Sequence, residues 1–215
     1  MKQIPLLVAL ALSLSLCNIT DRFTSKSTNQ SNSGSGSSST AGGGSAATGG
    51  VPVEHPEPTM AQTKALEGGQ AVKWDQQGIT WTLPAGWSKQ TVETKEFSYG
   101  APGYAAFLIA SISPMGEDFP VDISTKAFYD GAVTRKKNGE VDELRYLELD
   151  GVTGVQFREA NPEKPDGIRR LQWIAYRRFA GQTQMVNIIL SSNGKNFPGR
   201  QDELYAILYS TKLVH

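Results

Sequence analysis

The feature that most constrains the fold of this chain is a stretch near its end, residues 171–191. It reads LQWIAYRRFAGQTQMVNIILS and is rich in the β-branched and aromatic residues that suit a pleated strand. Ala180 and Gly181 lie between its two halves, and Gly181 supplies the backbone freedom that a short hairpin turn needs. The stretch therefore predicts two antiparallel strands joined by a tight turn.

The apolar pattern of this hairpin also predicts its register. Pairing Phe179 with Gln182 places the apolar residues of one face opposite each other, as Ala175 with Val186, Trp173 with Ile188, and Leu171 with Leu190. A slip of one residue would set Trp173 against Asn187. The opposite face is also largely apolar, so the sheet needs a layer on each side. These patterns predict an α/β sandwich.

The first third of the chain does not have the composition of a hydrophobic core. From residue 24 to about residue 50 it consists mainly of Ser, Gly, Thr, Asn and Ala, which bury too little apolar surface to offset the entropy of ordering. Residues 51–69 add three prolines and remain polar. We predict that residues 18–69 form a disordered linker that contributes nothing to the fold, and that the globular domain spans residues 70–215.

Residues 1–17 predict a targeting segment. The apolar run from Ile4 to Leu16 has the length of a signal-peptide core and is shorter than the roughly 17–25 residues of a membrane-spanning helix. Its end, Leu14-Ser15-Leu16-Cys17, resembles the lipobox of bacterial lipoproteins, in which the cysteine is acylated and becomes the mature N-terminus. Leu16 departs from the usual Gly, Ala or Ser, and ordinary secretory cleavage nearby is the alternative.

Within the domain, apolar periodicity predicts eight strands or helices besides the hairpin. Asp122 or Ser124 is the expected N-cap of the first helix. The predicted strands are Ala71–Trp74, Ile79–Leu83, Thr91–Tyr99 near an edge, Tyr104–Ser113 in the centre, Val141–Leu149 and Val152–Arg158, and the predicted helices are Asp122–Lys137 and Asn196–Ser210.

This order of elements, with the turn Leu83-Pro84-Ala85-Gly86-Trp87 after a short strand, resembles the PsbP-like domains, which include bacterial envelope lipoproteins of the DcrB type. The resemblance covers residues 70 to 213. It implies an α+β fold, an α/β/α sandwich with a mostly antiparallel central sheet. It implies no catalytic residues and no cofactor, and a shared fold does not give a shared function.

Composition excludes several classes of chemistry. The charges balance, with 21 Lys plus Arg and 21 Asp plus Glu, which disfavours nucleic acid as a partner. The two histidines are His55 and His215, and the one cysteine is Cys17. The predicted domain interior therefore offers no disulfide, no Cys/His zinc site and no Ser-His or Cys-His couple.

A candidate partner surface combines one tryptophan with four arginines. Trp87 in the turn would mark an apolar groove if exposed, and a guanidinium cluster can clamp a phosphate or carboxylate. The alternative is that the arginines project into solvent, since the register pairs two of them with polar residues near the turn. The residues of this surface are Trp87, Arg169, Arg170, Arg177 and Arg178.

Two groups of acidic residues are candidate sites, one for a cation and one for hydrolysis. Glu117, Asp118 and Asp122 can bind a cation, but a solvated start to the first helix explains them more simply. A second group can supply the carboxylate pair of a hydrolase, although outward-facing strand residues are the simpler interpretation. Its members are Asp142, Glu143, Glu148 and Asp150.

The sequence thus predicts a non-catalytic protein of the bacterial cell envelope, tethered through a lipid on Cys17 to the outer side of the cytoplasmic membrane or to the outer membrane. Its domain is expected to bind another envelope component, a protein. The alternative is a carboxylate-dependent envelope hydrolase. Neither a metal nor a cofactor is expected.

Overall fold

The computed structural model describes residues 48–214. The predicted targeting segment, the lipidation residue Cys17, the linker up to residue 47 and His215 lie outside the described residues. Within residues 48–214 there are three α-helices, α1 (Met60–Ala65), α2 (Val121–Lys137) and α3 (Phe197–Tyr209). The strands are β1 (Val53–Glu54), β2 (Gln70–Trp74), β3 (Ile79–Leu83), β4 (Ser88–Val92), β5 (Glu96–Gly100), β6 (Phe107–Pro114), β7 (Val141–Leu149), β8 (Val152–Glu159), β9 (Ile168–Phe179), β10 (Gln182–Asn193) and β11 (Lys212–Leu213).

Eight strands form the main sheet in the order β1-β7-β8-β9-β10-β6-β5-β4, and three form a smaller sheet in the order β11-β3-β2. Strands β9 and β10 lie in the middle of the main sheet. The pairing of β1 with β7 is parallel, whereas the other neighbouring pairs are antiparallel. The predicted α+β class with a mostly antiparallel central sheet is confirmed.

The main sheet is covered on both faces, as its apolar pattern predicted. On one face α2 packs Ala132 and Tyr129 against a cluster that includes Tyr146, Phe157 and Ile174. On the other face α3 and the three-stranded sheet close over a larger core. The sandwich therefore has one feature that the sequence did not predict, because a small sheet shares the second outer layer with α3.

The predicted register of the β9–β10 hairpin is confirmed residue by residue. Phe179 pairs with Gln182, Trp173 with Ile188, and Leu171 with Leu190. The turn uses two left-handed residues, Ala180 at φ 50° and Gly181 at φ 79°, which is the geometry that matches the twist of a two-residue hairpin.

The predicted linker boundary at residue 69 was wrong for residues 51–69. Val51 and Val53 pack on the apolar cluster under α2, and Leu66 packs on the larger core. Helix α1 begins with a capping box, because the Thr59 hydroxyl accepts from the Gln62 N–H at 3.2 Å while the Gln62 side chain accepts from the Thr59 N–H at 3.0 Å. This segment covers the outer edge of β7 and contacts α3.

Two further predictions need correction. The single strand expected over Thr91–Tyr99 is a hairpin of β4 and β5, because the charged residues between them, Glu93 to Lys95, form the turn. Helix α2 has Pro120 at its N-cap position with no side-chain cap, so Asp122 lies in the first turn. Within residues 48–214, no helix is both long enough and apolar enough to span a membrane.

Candidate functional site

The structure does not bring the five residues of the predicted partner surface together. Trp87 is 3% exposed, Arg169 is 5% exposed and Arg177 is 6% exposed, so the prediction of an exposed surface was wrong for these three. Arg170 and Arg178 are exposed. They remain separate surface residues, of which Arg170 pairs with Glu159 at 3.3 Å.

Trp87 is buried because the Pro84–Trp87 turn is anchored to α3. Its indole N–H donates to Glu203 Oε1 at 2.8 Å. Gly86 has φ 86°, and a Cβ atom there would lie 3.0 Å from the Pro102 ring, so the turn packs closely on the next loop. The turn that carries the family resemblance thus contacts two other segments, the loop at Pro102–Tyr104 and α3.

An open groove of about 520 Å³ lies at the first turns of α3. Arg200 lies in the groove and pairs with Glu203, with Nη1 at 2.9 Å from Oε2. Glu203 is therefore held by both Trp87 and Arg200. The groove is lined by Ala105, Lys195, Asn196, Gly199, Arg200 and Glu203.

An exposed aromatic residue precedes the groove-lining Ala105 in the chain. This residue, Tyr104, is 66% exposed, and its ring stacks on Phe107 at a centroid distance of 6.1 Å. Its φ of 55° is unusual for a residue other than glycine, and such strain persists where the surrounding structure enforces it. The Ala105 carbonyl accepts from the Ser192 hydroxyl at 2.9 Å, which fixes the loop to β10. The groove is thus an open, mostly polar surface with two cationic side chains, Lys195 and Arg200, and the exposed Tyr104 immediately precedes one of its lining residues.

A second polar cluster joins β7 and β8 to the last turns of α3. Tyr205 donates to Glu143 Oε2 at 2.5 Å and accepts from Arg158 at 3.3 Å. Arg145 donates to the Tyr209 hydroxyl at 2.5 Å and to Glu54 of β1 at 2.9 Å. Burial, followed by the hydrogen bond to Glu143, raises the pKa of Tyr205. Because its charges alternate and are paired, this cluster fastens α3 to the sheet.

The candidate hydrolase carboxylates each contact a basic side chain or a backbone N–H. Asp142 pairs with Arg158 at 2.8 Å and with Arg169. Glu148 lies 3.5 Å from the His55 ring, and Asp150 accepts from the Leu213 N–H at 2.8 Å. Within residues 48–214, no three His, Cys, Asp or Glu side chains are grouped so that they could hold a metal ion, and this includes the acidic residues before α2.

A matched pair of tyrosine variants tests which of the buried hydroxyls supports the fold. Tyr205→Phe removes a hydroxyl with two partners and should lower the free energy of unfolding by about 1–3 kcal/mol. Tyr146→Phe removes a buried hydroxyl that has no partner among the described residues, so the change should lie within about 1 kcal/mol and favour stability. Urea unfolding measures both. Equal losses would mean that the contacts of Tyr205 do not stabilise the domain.

A second shallow pocket of about 360 Å³ lies at the first turn of α2, where Ile123 is 71% exposed. Four consecutive residues, 120–123, line this pocket, which lies on the opposite face of the sheet from α3. It offers one carboxylate, Asp122, and no second polar group for chemistry. This pocket therefore lacks the cationic side chains of the groove beside α3.

Sequence reasoning missed the residues that form the groove. Arg200 and Glu203 are three apart on a helix, a spacing that predicts a surface ion pair but not a role in holding Trp87. Tyr104 follows Pro102 and Gly103, a combination typical of a tight loop, and this was the available signal for an exposed ring.

No protein-family model matches the chain, and no curated protein matches it. Among solved structures it is similar to LpqN, involved in cell envelope biogenesis of Mycobacterium tuberculosis, at 12% identity and a TM-score of 0.50, covering 68% of this chain and 91% of that one. It is also similar to cyanobacterial PsbP (CyanoP) from Synechocystis sp. PCC 6803, at 12% identity and a TM-score of 0.46, covering 68% and 92%.

A third similar structure is the Ran-binding protein Mog1p of Saccharomyces cerevisiae, at 13% identity and a TM-score of 0.42, covering 68% of this chain and 95% of that one. At 12% identity the similarity to LpqN shows the fold alone. The domain has the α+β sandwich with a mostly antiparallel sheet that the resemblance to PsbP-like domains implied. The narrower DcrB type remains a prediction.

Proposed function

We propose that this protein is a lipid-anchored component of the bacterial cell envelope whose PsbP-like domain binds a protein partner and does not catalyse a reaction. The observation that carries the proposal is the groove beside α3, whose lining residue Ala105 directly follows the exposed Tyr104. Exposed aromatic side chains and arginines are the residues that dominate binding energy at protein interfaces. Here Arg200 lies on α3, to which the Trp87–Glu203 hydrogen bond joins the Pro84–Trp87 turn, and the residue after Tyr104 is bonded to Ser192 of β10.

The same geometry supports binding more than hydrolysis. The groove contains one carboxylate, Glu203, which already accepts from Trp87 and Arg200. A hydrolase that uses paired carboxylates needs two that converge on the bond to be broken. We therefore do not propose the hydrolase as a second function. The envelope location draws its support from the predicted signal segment and, at the level of fold, from the similarity to LpqN.

Site-specific photocrosslinking tests the proposed surface. A photoreactive phenylalanine at position 104 of the full chain should capture a protein in intact membranes, and Arg200→Ala should reduce that capture. The same photoreactive residue at position 123, on the opposite face and more than half exposed in the native protein, serves as the matched control. Equal capture from both positions, or none from position 104, would contradict the proposal that this groove is the binding surface.

The lipid anchor is tested at Cys17, the one cysteine of the chain. Cys17→Ala should move the protein from the membrane fraction to the soluble fraction, or leave its signal segment uncleaved, because no thiol is left to acylate. Cys17→Ser is the matched control for size and should behave in the same way. Labelled palmitate should enter the wild-type protein, and its absence there would disprove the lipoprotein interpretation.

A further inference from the structure

Arg177 is buried in the core with part of its guanidinium group unused. It lies on β9, two residues from Ala175 and four from Trp173 on the same face. Its Nη2 donates to the Gln77 backbone carbonyl and lies 3.5 Å from Gln184 Oε1. Its Nε and Nη1 are out of contact with solvent and have no hydrogen-bond partner among residues 48–214. Buried hydrogen-bond donors normally have an acceptor, and two donor nitrogens of Arg177 have none among these residues.

The surroundings of Arg177 do not supply that acceptor. The Gln77 side-chain oxygen accepts from Gln184 Nε2 at 3.2 Å, and Gln77 Nε2 donates to the Thr94 carbonyl at 2.6 Å. Burial lowers the pKa of Arg177 to about 10, with no carboxylate raising it in return. The three buried polar side chains Arg177, Gln77 and Gln184 therefore leave a local positive charge without a counter-charge among the described residues.

The Phe179 ring forms one wall of this cluster. The Arg177 guanidinium carbon lies 4.4 Å from the centre of the Phe179 ring, which is partly exposed. Phe179 immediately precedes the left-handed turn residues Ala180 and Gly181 at the tip of the hairpin. Gly78 packs on the same ring, because a Cβ atom at Gly78 would lie 2.9 Å from the Phe179 side chain and from Val214. A small molecule would reach Arg177 by displacing the Phe179 ring.

We propose that Arg177 is the binding site for a small monovalent anion of the carboxylate class, with Phe179 as its cover. A carboxylate carries the single negative charge that one guanidinium neutralises, and its oxygens can accept from the unpaired N–H groups of Nη1. A phosphate or sulfate dianion would leave a buried charge uncompensated, which is costly. Two sources share this chemistry, a free small carboxylate and an acidic side chain of a binding partner. The site is separate from the groove beside α3 and does not depend on the function proposed for it.

The direct test follows the Arg177 Nε–H signal by NMR in the full chain. Sodium formate, at constant ionic strength against sodium chloride, should shift this signal in a saturable way and raise the melting temperature. The tripeptide Gly-Glu-Gly forms the second arm. A response to formate alone assigns the site to a free small ligand, and a response to both assigns it to an acidic side chain. No response to either, or an equal response to chloride, overturns the proposal.

Variants separate binding from a purely structural role of Arg177. Arg177→Gln should weaken the formate response by about tenfold or more, since it removes the charge. Arg178→Gln is the matched control, because Arg178 is exposed and lies outside the cluster. This variant should respond to formate as the wild type does. Phe179→Leu should strengthen the response by opening the cover. If Arg177→Gln does not fold, the wild-type titration and Phe179→Leu decide alone, and a Phe179→Leu protein with an unchanged response would show that the ring is not the cover.

Discussion

Trp173→Ala is expected to lower the free energy of unfolding by about 3–5 kcal/mol. The indole is completely buried in the larger core. Its N–H donates to the Leu147 carbonyl of β7 at 3.0 Å, so truncation leaves a cavity and an unpaired buried carbonyl. This loss is a large share of the roughly 5–15 kcal/mol that stabilises a typical domain. Urea unfolding followed by circular dichroism measures it.

The control for this prediction is another residue of the same strand. Arg178→Ala removes an exposed side chain that hydrogen-bonds the Gly181 carbonyl at 3.3 Å across the turn, and it should change stability by no more than about 0.5 kcal/mol. Similar losses for the two variants would contradict the burial of Trp173. A companion variant, Gly154→Ala, should also destabilise, because its Cβ would lie 2.6 Å from the Trp173 ring.

Removing residues 48–69 is expected to cost on the order of 3 kcal/mol. The segment buries parts of Val51, Val53 and Leu66 against the two cores, and each such side chain contributes roughly 1 kcal/mol when partly buried. A chain that begins at Gln70 should therefore melt well below a chain that begins at Thr48. It should also associate more readily, because the outer edge of β7 loses its cover.

The matched pair for this prediction differs at one position only. Thr59→Ala removes the capping hydroxyl of α1 and should cost about 1 kcal/mol, in the same direction as the truncation. If the chain that begins at Gln70 and the chain that begins at Thr48 melt together, residues 48–69 do not stabilise the domain and the linker interpretation regains its support.

The hairpin was predictable because its information is local. Alternation of apolar residues and a turn at Gly181 determine which residues face each other, and Trp173 followed from that register without knowledge of the remaining chain. The same locality explains the error at Arg177. It lies near the turn, which indicated solvent, but the segment at Gln77 folds over the end of the hairpin from a hundred residues earlier.

The remaining errors have related causes. Trp87 was a candidate for the partner surface only if exposed, and the residue that holds it in the core, Glu203, lies 116 residues further along the chain. Composition averaged over residues 51–69 hid two local signals, the capping box from Thr59 to Gln62 and the alternation at Val51 and Val53. Average polarity describes a long segment, whereas a two-residue strand and a six-residue helix need position-by-position reading.

The position of β1 at the edge of the main sheet has a mechanical consequence. A pulling force applied to residue 48 meets the two residue pairs that join β1 to β7 before it reaches the long β9–β10 hairpin. These edge contacts, and then the contacts of α1 with α3 and of Leu66 with the larger core, should yield first and release residues 48–69, which extend by about 70 Å at roughly 3.3 Å per residue. The sheet interior would remain intact during that extension. Under a force applied from the N-terminal side, residues 48–69 should therefore unfold before the sheet interior does.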